Sequence, residues 1–179
     1  MKIIVINGRP RAGKDTFVEF CQKHYTWCLN VSTVDFVKEV ARYCGWDGTK
    51  TPENRAFLSS LKDTLTLWDD VPFKKVCKEI NAFIGEMTVY DFDPETEGIV
   101  FIHSREPEEI NRFRVELGSQ SLLITRDEVE EQATSNHADA NVNNYRYDYI
   151  IPNDGTLDDL EEAAVHFLEA MGIKNLKKD

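Results

Sequence analysis

The chain has 179 residues, 41% hydrophobic and 30% charged, which is the balance of an ordinary soluble globular domain long enough to bury a real core. Its 21 basic and 32 acidic residues give a formal net charge of −11, so the surface as a whole is no nucleic-acid footprint and a bound anion needs a local basic cluster. No run approaches the ~20 apolar residues of a membrane span, no secretory leader is visible, and Cys21, Cys28, Cys44 and Cys77 form neither a C-x-x-C pair nor a metal spacing with the histidines, as in a reduced cytoplasmic chain.

The first predicted element is KIIVIN (2–7), an apolar run of the kind found in a buried parallel strand. It leads directly into a glycine-containing loop and then into KDTFVEFCQKHY, where Phe17, Phe20 and Cys21 recur at helical spacing. WCLNVS (27–32) reads as a second strand, and DFVKEVARYCGW (35–46) as a helix stopped by Gly45. Two long helical patterns follow, NRAFLSSLKDTLTLW (54–68) and, after Pro72, FKKVCKEINAFIGEM (73–87). The acidic stretch 91–98 is expected to be a solvated loop. IVFIHS (99–104) is the third strand, PEEINRFRVEL (107–117) a helix with Pro107 in its first turn, and SQSLLIT (119–125) the fourth strand. A polar, asparagine-rich segment (135–147) separates it from the fifth strand, YDYIIP (147–152). TLDDLEEAAVHFLEAM (156–171) closes the pattern as an amphipathic helix with Thr156 as N-cap and Asp159 three residues on. The tail 174–179 is expected to fray.

Five short apolar strands separated by helices predict one α/β domain over 1–179: a five-stranded parallel sheet with helices on both faces. Ligands of such sheets bind outside the carboxyl ends of the strands. The loop after the first strand reads Gly8-Arg9-Pro10-Arg11-Ala12-Gly13-Lys14, a Gly-x4-Gly-Lys phosphate loop at a helix start. Glycines there let backbone N–H groups wrap phosphates, the helix dipole favours the anion, and Lys14 reaches the terminal phosphates. Arg9 and Arg11 add positive potential. The residue after Lys14 is Asp15 where such loops carry Ser or Thr; a carboxylate is a hard-metal ligand suited to Mg²⁺, or else complements the helix dipole. Thr16 is turned about 100° from that position.

At the other strand ends stand further candidates. Asp35 follows the second strand, with Lys38 and Arg42 on one helix face; its carboxylate suits proton acceptance or the metal shell, or caps the helix. Arg105 follows the third strand and presents a planar fork matched to a phosphate, or pairs with Glu106 or Glu109. Arg126 ends the fourth strand and opens a candidate lid, about 126–146, in which Arg146 is a second arginine. Tyr43, Phe57 and Trp68, in a helical stretch of about 35–90, read as core or as a stacking surface for a base.

GRPRAGKDT resembles the Gly-Lys-Asp variant of the P-loop found in phage deoxynucleoside monophosphate kinases and animal phosphomevalonate kinase. FVKEVARYCGWDG with NRAFLSSLKD resembles the helical substrate-side insert of the phage enzymes. VFIHSREPEEINRF is similar to their strand followed by Asp-x-Arg-x-Pro-x-Glu. SNHADA stands at their His-x-Ser-Glu lid segment, and YIIPNDGTLDDL resembles their last strand and adenine-side loop. The resemblance implies the P-loop NTPase fold of nucleoside monophosphate kinases, with Mg–ATP bound by Gly8, Arg9, Arg11, Ala12, Gly13, Lys14, Asp15 and Thr16. It implies Asn153, Asp154, Gly155 and Thr156 beside adenine, and an acceptor held by Asp35, Lys38, Arg42 and Arg105. Lys14, Asp35, Arg105 and Arg126 would carry the transfer, with Asp15 as metal ligand. The sequence departs from the pattern at His103, where the family has a metal-organising aspartate, and at Ala140, where its lid has glutamate; His137 matches.

The expected activity is therefore transfer of the γ-phosphoryl of ATP, with Mg²⁺, to a small phosphorylated acceptor, foremost a (deoxy)nucleoside monophosphate, by a cytoplasmic monomer or homodimer. Two alternatives stand beside it. One is a kinase acting on a hydroxymethylated base in phage DNA, against which the net charge of −11 argues. The other is a nucleotide-binding or regulatory protein without turnover.

Overall fold

The structure, a computed structural model, describes residues 1–127, 142 and 145–173. The apolar runs form five strands: β1 (Lys2–Asn7), β2 (Cys28–Ser32), β3 (Ile99–His103), β4 (Gln120–Thr125) and β5 (Tyr149–Pro152). All pair in parallel, in the order β2-β3-β1-β4-β5. Ile4, Val5 and Ile6 of β1 and Ile99 to Ile102 of β3 are wholly buried, the signature of strands covered on both faces.

The helices among the described residues are α1 (Lys14–His24), α2 (Asp35–Tyr43), α3 (Pro52–Asp69), α4 (Val71–Val89), α5 (Pro94–Glu97), α6 (Pro107–Leu117) and α7 (Leu157–Ala170). The crossover through α1 runs from β1 outward to β2, and those through α4 and α6 run back the other way. Right-handed crossovers therefore set α1 on one face of the sheet and α4 and α6 on the other. α7 joins α1. Phe17 of α1, Phe101 of β3 and Phe167 of α7 meet edge-on or tilted with centroids 5.7–6.2 Å apart, and Glu161 of α7 pairs with Lys23 (2.5 Å) and His24 (2.6 Å) of α1. On the opposite face Phe73 stacks on Phe113 at 5.2 Å, joining α4 to α6.

Local signals set most boundaries. Thr51 accepts from the Asn54 N–H and Pro52 opens α3, so that helix starts two residues earlier than its apolar pattern. α7 begins with a complete capping box between Thr156 and Asp159. Gly45 lies at φ +93° just past α2. β5 is shorter than its pattern: Asp148 donates its N–H to the Ser121 carbonyl (3.1 Å), but its carboxylate takes the Ser121 N–H (2.7 Å), so the ladder goes no further toward residue 147. The acidic stretch expected to be loop holds one exposed helical turn, α5, capped by Asp93 on the Glu95 N–H.

Between β2 and β3 the chain makes its helical excursion, as expected for 35–90. α3 has no buried residue. Tyr43 is 86% exposed, Trp68 77% and Phe57 39%, so these aromatics are not core. α3 and α4 are separated by the single residue Asp70, left-handed at φ +53°, whose carboxylate is gripped by both terminal nitrogens of Arg112 on α6. The Arg112 guanidinium also lies 3.7 Å above the Phe73 ring. All four cysteines are free thiols, and burial pushes the Cys28 thiol up to about 12. No helix of the described residues is long and apolar enough to cross a membrane.

Candidate functional site

The loop joining β1 to α1 leaves the carboxyl end of the central strand. Gly8 lies at φ +149°, and a Cβ there would sit 2.4 Å from the Ile124 carbonyl oxygen of β4. Gly13 lies at φ +98°, and a Cβ there would meet the Asn153 side-chain nitrogen at 2.3 Å. The turn between them is closed by the Ala12 N–H on the Arg9 carbonyl (3.1 Å), with Arg11 at φ +67°. α1 then begins on Gly13 with no side-chain cap, so its first N–H groups open onto the loop. The Lys14 ammonium is buried against the loop, donating to the Gly8 (2.7 Å) and Arg9 (2.8 Å) carbonyls. Asp15 is exposed in the first helical turn, and Thr16 is partly buried.

The remaining strand ends gather around this loop. Asp35, after β2, is the first residue of α2 and does not cap it; the N-cap is Val34, and the Asp35 carboxylate reaches Lys38 at 3.2 Å. Arg42, two turns further on, lies over the Trp46 ring at 5.5 Å. His103 ends β3 with Nδ1 3.6 Å from the Asp15 carboxylate, while its Nε2 is buried with no hydrogen-bond partner among the described residues. Burial lowers its pKa, outweighing Asp15 and Asp35, and Lys14 and Lys38 push the same way as burial, so the neutral imidazole is favoured.

Arg105 follows, partly buried, its carbonyl accepting from the Asn7 side chain at 3.2 Å. Glu109 is engaged on both oxygens, by the Ser104 hydroxyl (2.7 Å) and the Lys62 ammonium of α3 (2.6 Å). That contact fastens the helical excursion to the strand end beside Arg105.

Arg126 stands directly after β4, and the next residue's N–H donates to the Asp154 carboxylate at 2.7 Å. The start of the expected lid and the loop after β5 are thereby joined. Asn153 is buried and donates to the Ala12 carbonyl at 2.9 Å, so it braces the phosphate loop from the side of β5. Gly155 leaves room for the Asp159 carboxylate of the capping box, which a Cβ would meet at 2.5 Å. Arg146 is placed elsewhere. It lines a polar groove with Arg114, Gln120 and Tyr149, where β4 and β5 begin, at the sheet edge opposite the phosphate loop. His137 and Ala140 lie outside the described residues, as does the tail 174–179.

Gly8 to Thr16, Asp35, Lys38, Arg105, Arg126 and Asn153 are thus brought to one edge of the sheet, whereas Arg42 lies over Trp46 and Arg146 lines the groove at the opposite edge. The sequence reading passed over Asn7, Ser104, Lys62 and Tyr147. Asn7 has a signal, a polar residue closing an otherwise apolar strand. Lys62 has none, being one charge among several on an exposed helix.

For a nucleotide with a divalent cation, the donor set fits in part. Asp15 offers exposed carboxylate oxygens beside Lys14, a hard site of the kind Mg²⁺ takes together with phosphate oxygens and water. No cluster of three or more acidic, histidine or cysteine side chains suited to a metal occurs among the described residues, so these alone supply no cage.

No protein-family model matches the chain, and no curated protein matches it. Among solved structures it is similar to dephospho-CoA kinase from Campylobacter jejuni (13% identity, 95% of this chain and 97% of that one, TM-score 0.47). It is also similar to shikimate kinase from Aquifex aeolicus (13%, 97% and 99%, TM-score 0.48) and to thymidylate kinase from Candida albicans (13%, 99% and 95%, TM-score 0.45). The fold itself is a five-stranded parallel α/β sheet with the glycine-containing loop springing from its central strand.

Proposed function

We propose that this chain is an ATP-dependent phosphotransferase that passes the γ-phosphoryl group to a small phosphorylated acceptor, with a (deoxy)nucleoside monophosphate as the first candidate. The observation that carries this reading is the loop from Gly8 to Lys14. A lysine buried against two loop carbonyls, an uncapped helix start and two glycines at positive φ, one of them pressed against the Ile124 carbonyl, suit a bound polyphosphate. The acceptor side follows from what surrounds it. Arg105 would grip the acceptor phosphate, Lys38 would add charge, and Asp35 would take the proton of the attacking oxygen or orient it. Arg126 would meet the negative charge that spreads over the transferring group.

The chemistry is positioning and charge neutralisation. Lys14 exchanges its carbonyl partners for phosphate oxygens, which keeps the ammonium hydrogen-bonded throughout. Asp15, together with phosphate oxygens, would hold Mg²⁺, which would supply neutralisation of phosphate charge. Bringing donor and acceptor into line at one sheet edge removes most of the entropic barrier.

The test is the Lys14→Ala variant. ATP binding measured by calorimetry should weaken at least tenfold and transfer to nucleoside monophosphates should be lost. ATP binding equal to the unaltered protein's would end this reading. Offering labelled ATP with free nucleotides and with hydroxymethylated DNA identifies the acceptor, and label found only in polymer overturns the nucleotide assignment.

One observation favours a second reading, a nucleotide-binding module without transfer. His103, half-buried and with its pKa lowered by desolvation, faces Asp15 where the resembling kinases have an aspartate. Micromolar Mg–ATP binding with no turnover on any acceptor supports it.

A further inference from the structure

Asn7 is wholly buried at the last position of β1, and all of its side-chain capacity points to the site rather than to the sheet. Its Oδ1 accepts from the Gly8 N–H at 2.7 Å, on the phosphate loop. Its Nδ2 donates to the Arg105 carbonyl at 3.2 Å and to the Tyr147 hydroxyl at 2.7 Å. Tyr147 in turn donates to the Val142 carbonyl at 2.9 Å, and burial holds its phenol at about 12, neutral throughout the working pH range. A buried carboxamide with both ends satisfied is rigid, because any rotation leaves a desolvated donor or acceptor bare.

We infer that Asn7 is a positioning residue that sets the spacing between the phosphate loop and Arg105, with Tyr147 locking its orientation. The inference rests on the proposed phosphotransfer reading and adds to it the part that fixes donor against acceptor. One side chain ties the first residue of the nucleotide loop to the backbone of the acceptor arginine. Displacing Arg105 relative to Gly8 by even 1 Å would spoil the in-line approach while leaving nucleotide binding intact. Tyr147 carries the same constraint to the chain just before β5, so the segment after the expected lid bears on the same geometry.

The experiment compares Asn7→Asp and Tyr147→Phe with the unaltered protein. Asn7→Asp keeps the volume and the acceptor for Gly8 but deletes both donations; Tyr147→Phe removes only the lock and keeps the ring, so it serves if the first variant fails to fold. Two readouts are taken: hydrogen exchange of the backbone at 104–106, and ATP affinity beside acceptor kcat and KM. The expected result is faster exchange at 104–106 by about tenfold and ATP affinity within about twofold of the original. Acceptor kcat/KM should fall about 10–100-fold in Asn7→Asp and less in Tyr147→Phe. Unchanged exchange at 104–106 overturns the inference, as does ATP affinity falling in step with acceptor kinetics. If no acceptor is phosphorylated by the unaltered protein, it is the proposed function that fails, and the exchange measurement still decides the Asn7–Arg105 tie.

Discussion

The two glycines of the phosphate loop are fixed by different neighbours, and that difference predicts how their substitutions rank. A Cβ on Gly13 meets the end of the Asn153 side chain, which can turn aside, whereas a Cβ on Gly8 meets the Ile124 carbonyl of β4, which cannot. Gly8→Ala should cost more stability than Gly13→Ala, roughly 3 kcal/mol against 2, readable as a shift in the urea midpoint. Asp148 yields a pH prediction. Burial alone would raise its pKa, but the Ser121 backbone N–H, the Ser121 hydroxyl and Arg114 together outweigh burial and hold it below the ordinary carboxylate value. A depressed folded pKa stabilises above the unfolded pKa and is lost as pH falls through the folded one. Asp148→Asn should therefore destabilise by about 1–2 kcal/mol at pH 7 and progressively less below pH 4, seen by thermal melts across that range. At this scale the phosphate loop was legible because its chemistry is contiguous, seven residues in a row. The engagement of Glu109 by Lys62 was not, because its partners lie 47 positions apart and meet only once α3 has folded back over the strand end.

Among the elements, the strands were legible because burial on both faces leaves an unbroken apolar run, and α7 because its capping box is written in sequence. Thr156→Ala should cost about 1 kcal/mol. Phe167→Ala, which empties the meeting point of α1, α7 and β3 beside Tyr149, should cost about 3–5 kcal/mol. Comparing the two denaturation midpoints checks that packing, rather than capping, dominates the attachment of α7. α3 shows where periodicity misleads. Phe57 and Trp68 recur like core residues, yet the helix lies on α2 and α4 with no buried residue. Hydrophobic spacing reports that a helix has an apolar face, not that the fold covers it.

For the molecule as a whole, a net charge of −11 surrounds a site that gathers Arg9, Arg11, Lys14, Lys38, Arg105 and Arg126 at one sheet edge. The anion binding proposed there would be local, yet it should be felt by the entire fold. Mg–ATP at 100 times its dissociation constant adds about 2.7 kcal/mol to stability. For a chain of this size that raises Tm by roughly 5–10 °C. The shift should vanish in Lys14→Ala; an equal shift in both proteins would place nucleotide elsewhere. The break between α3 and α4 has a different kind of consequence. Asp70, in its left-handed turn, separates two long helices, and Pro72 in the first turn of α4 has no N–H with which to continue α3. Replacing both with alanine would also release Arg112, and Pro52 to Val89 would become one rod roughly 57 Å long. A domain of this size is about 40 Å across, too small to contain such a rod. The sheet face left bare by α4 would then be filled by the α4 of a second molecule, an exchanged dimer detectable by light scattering. One aspartate in a left-handed turn would therefore keep α4 from being exchanged with a second copy.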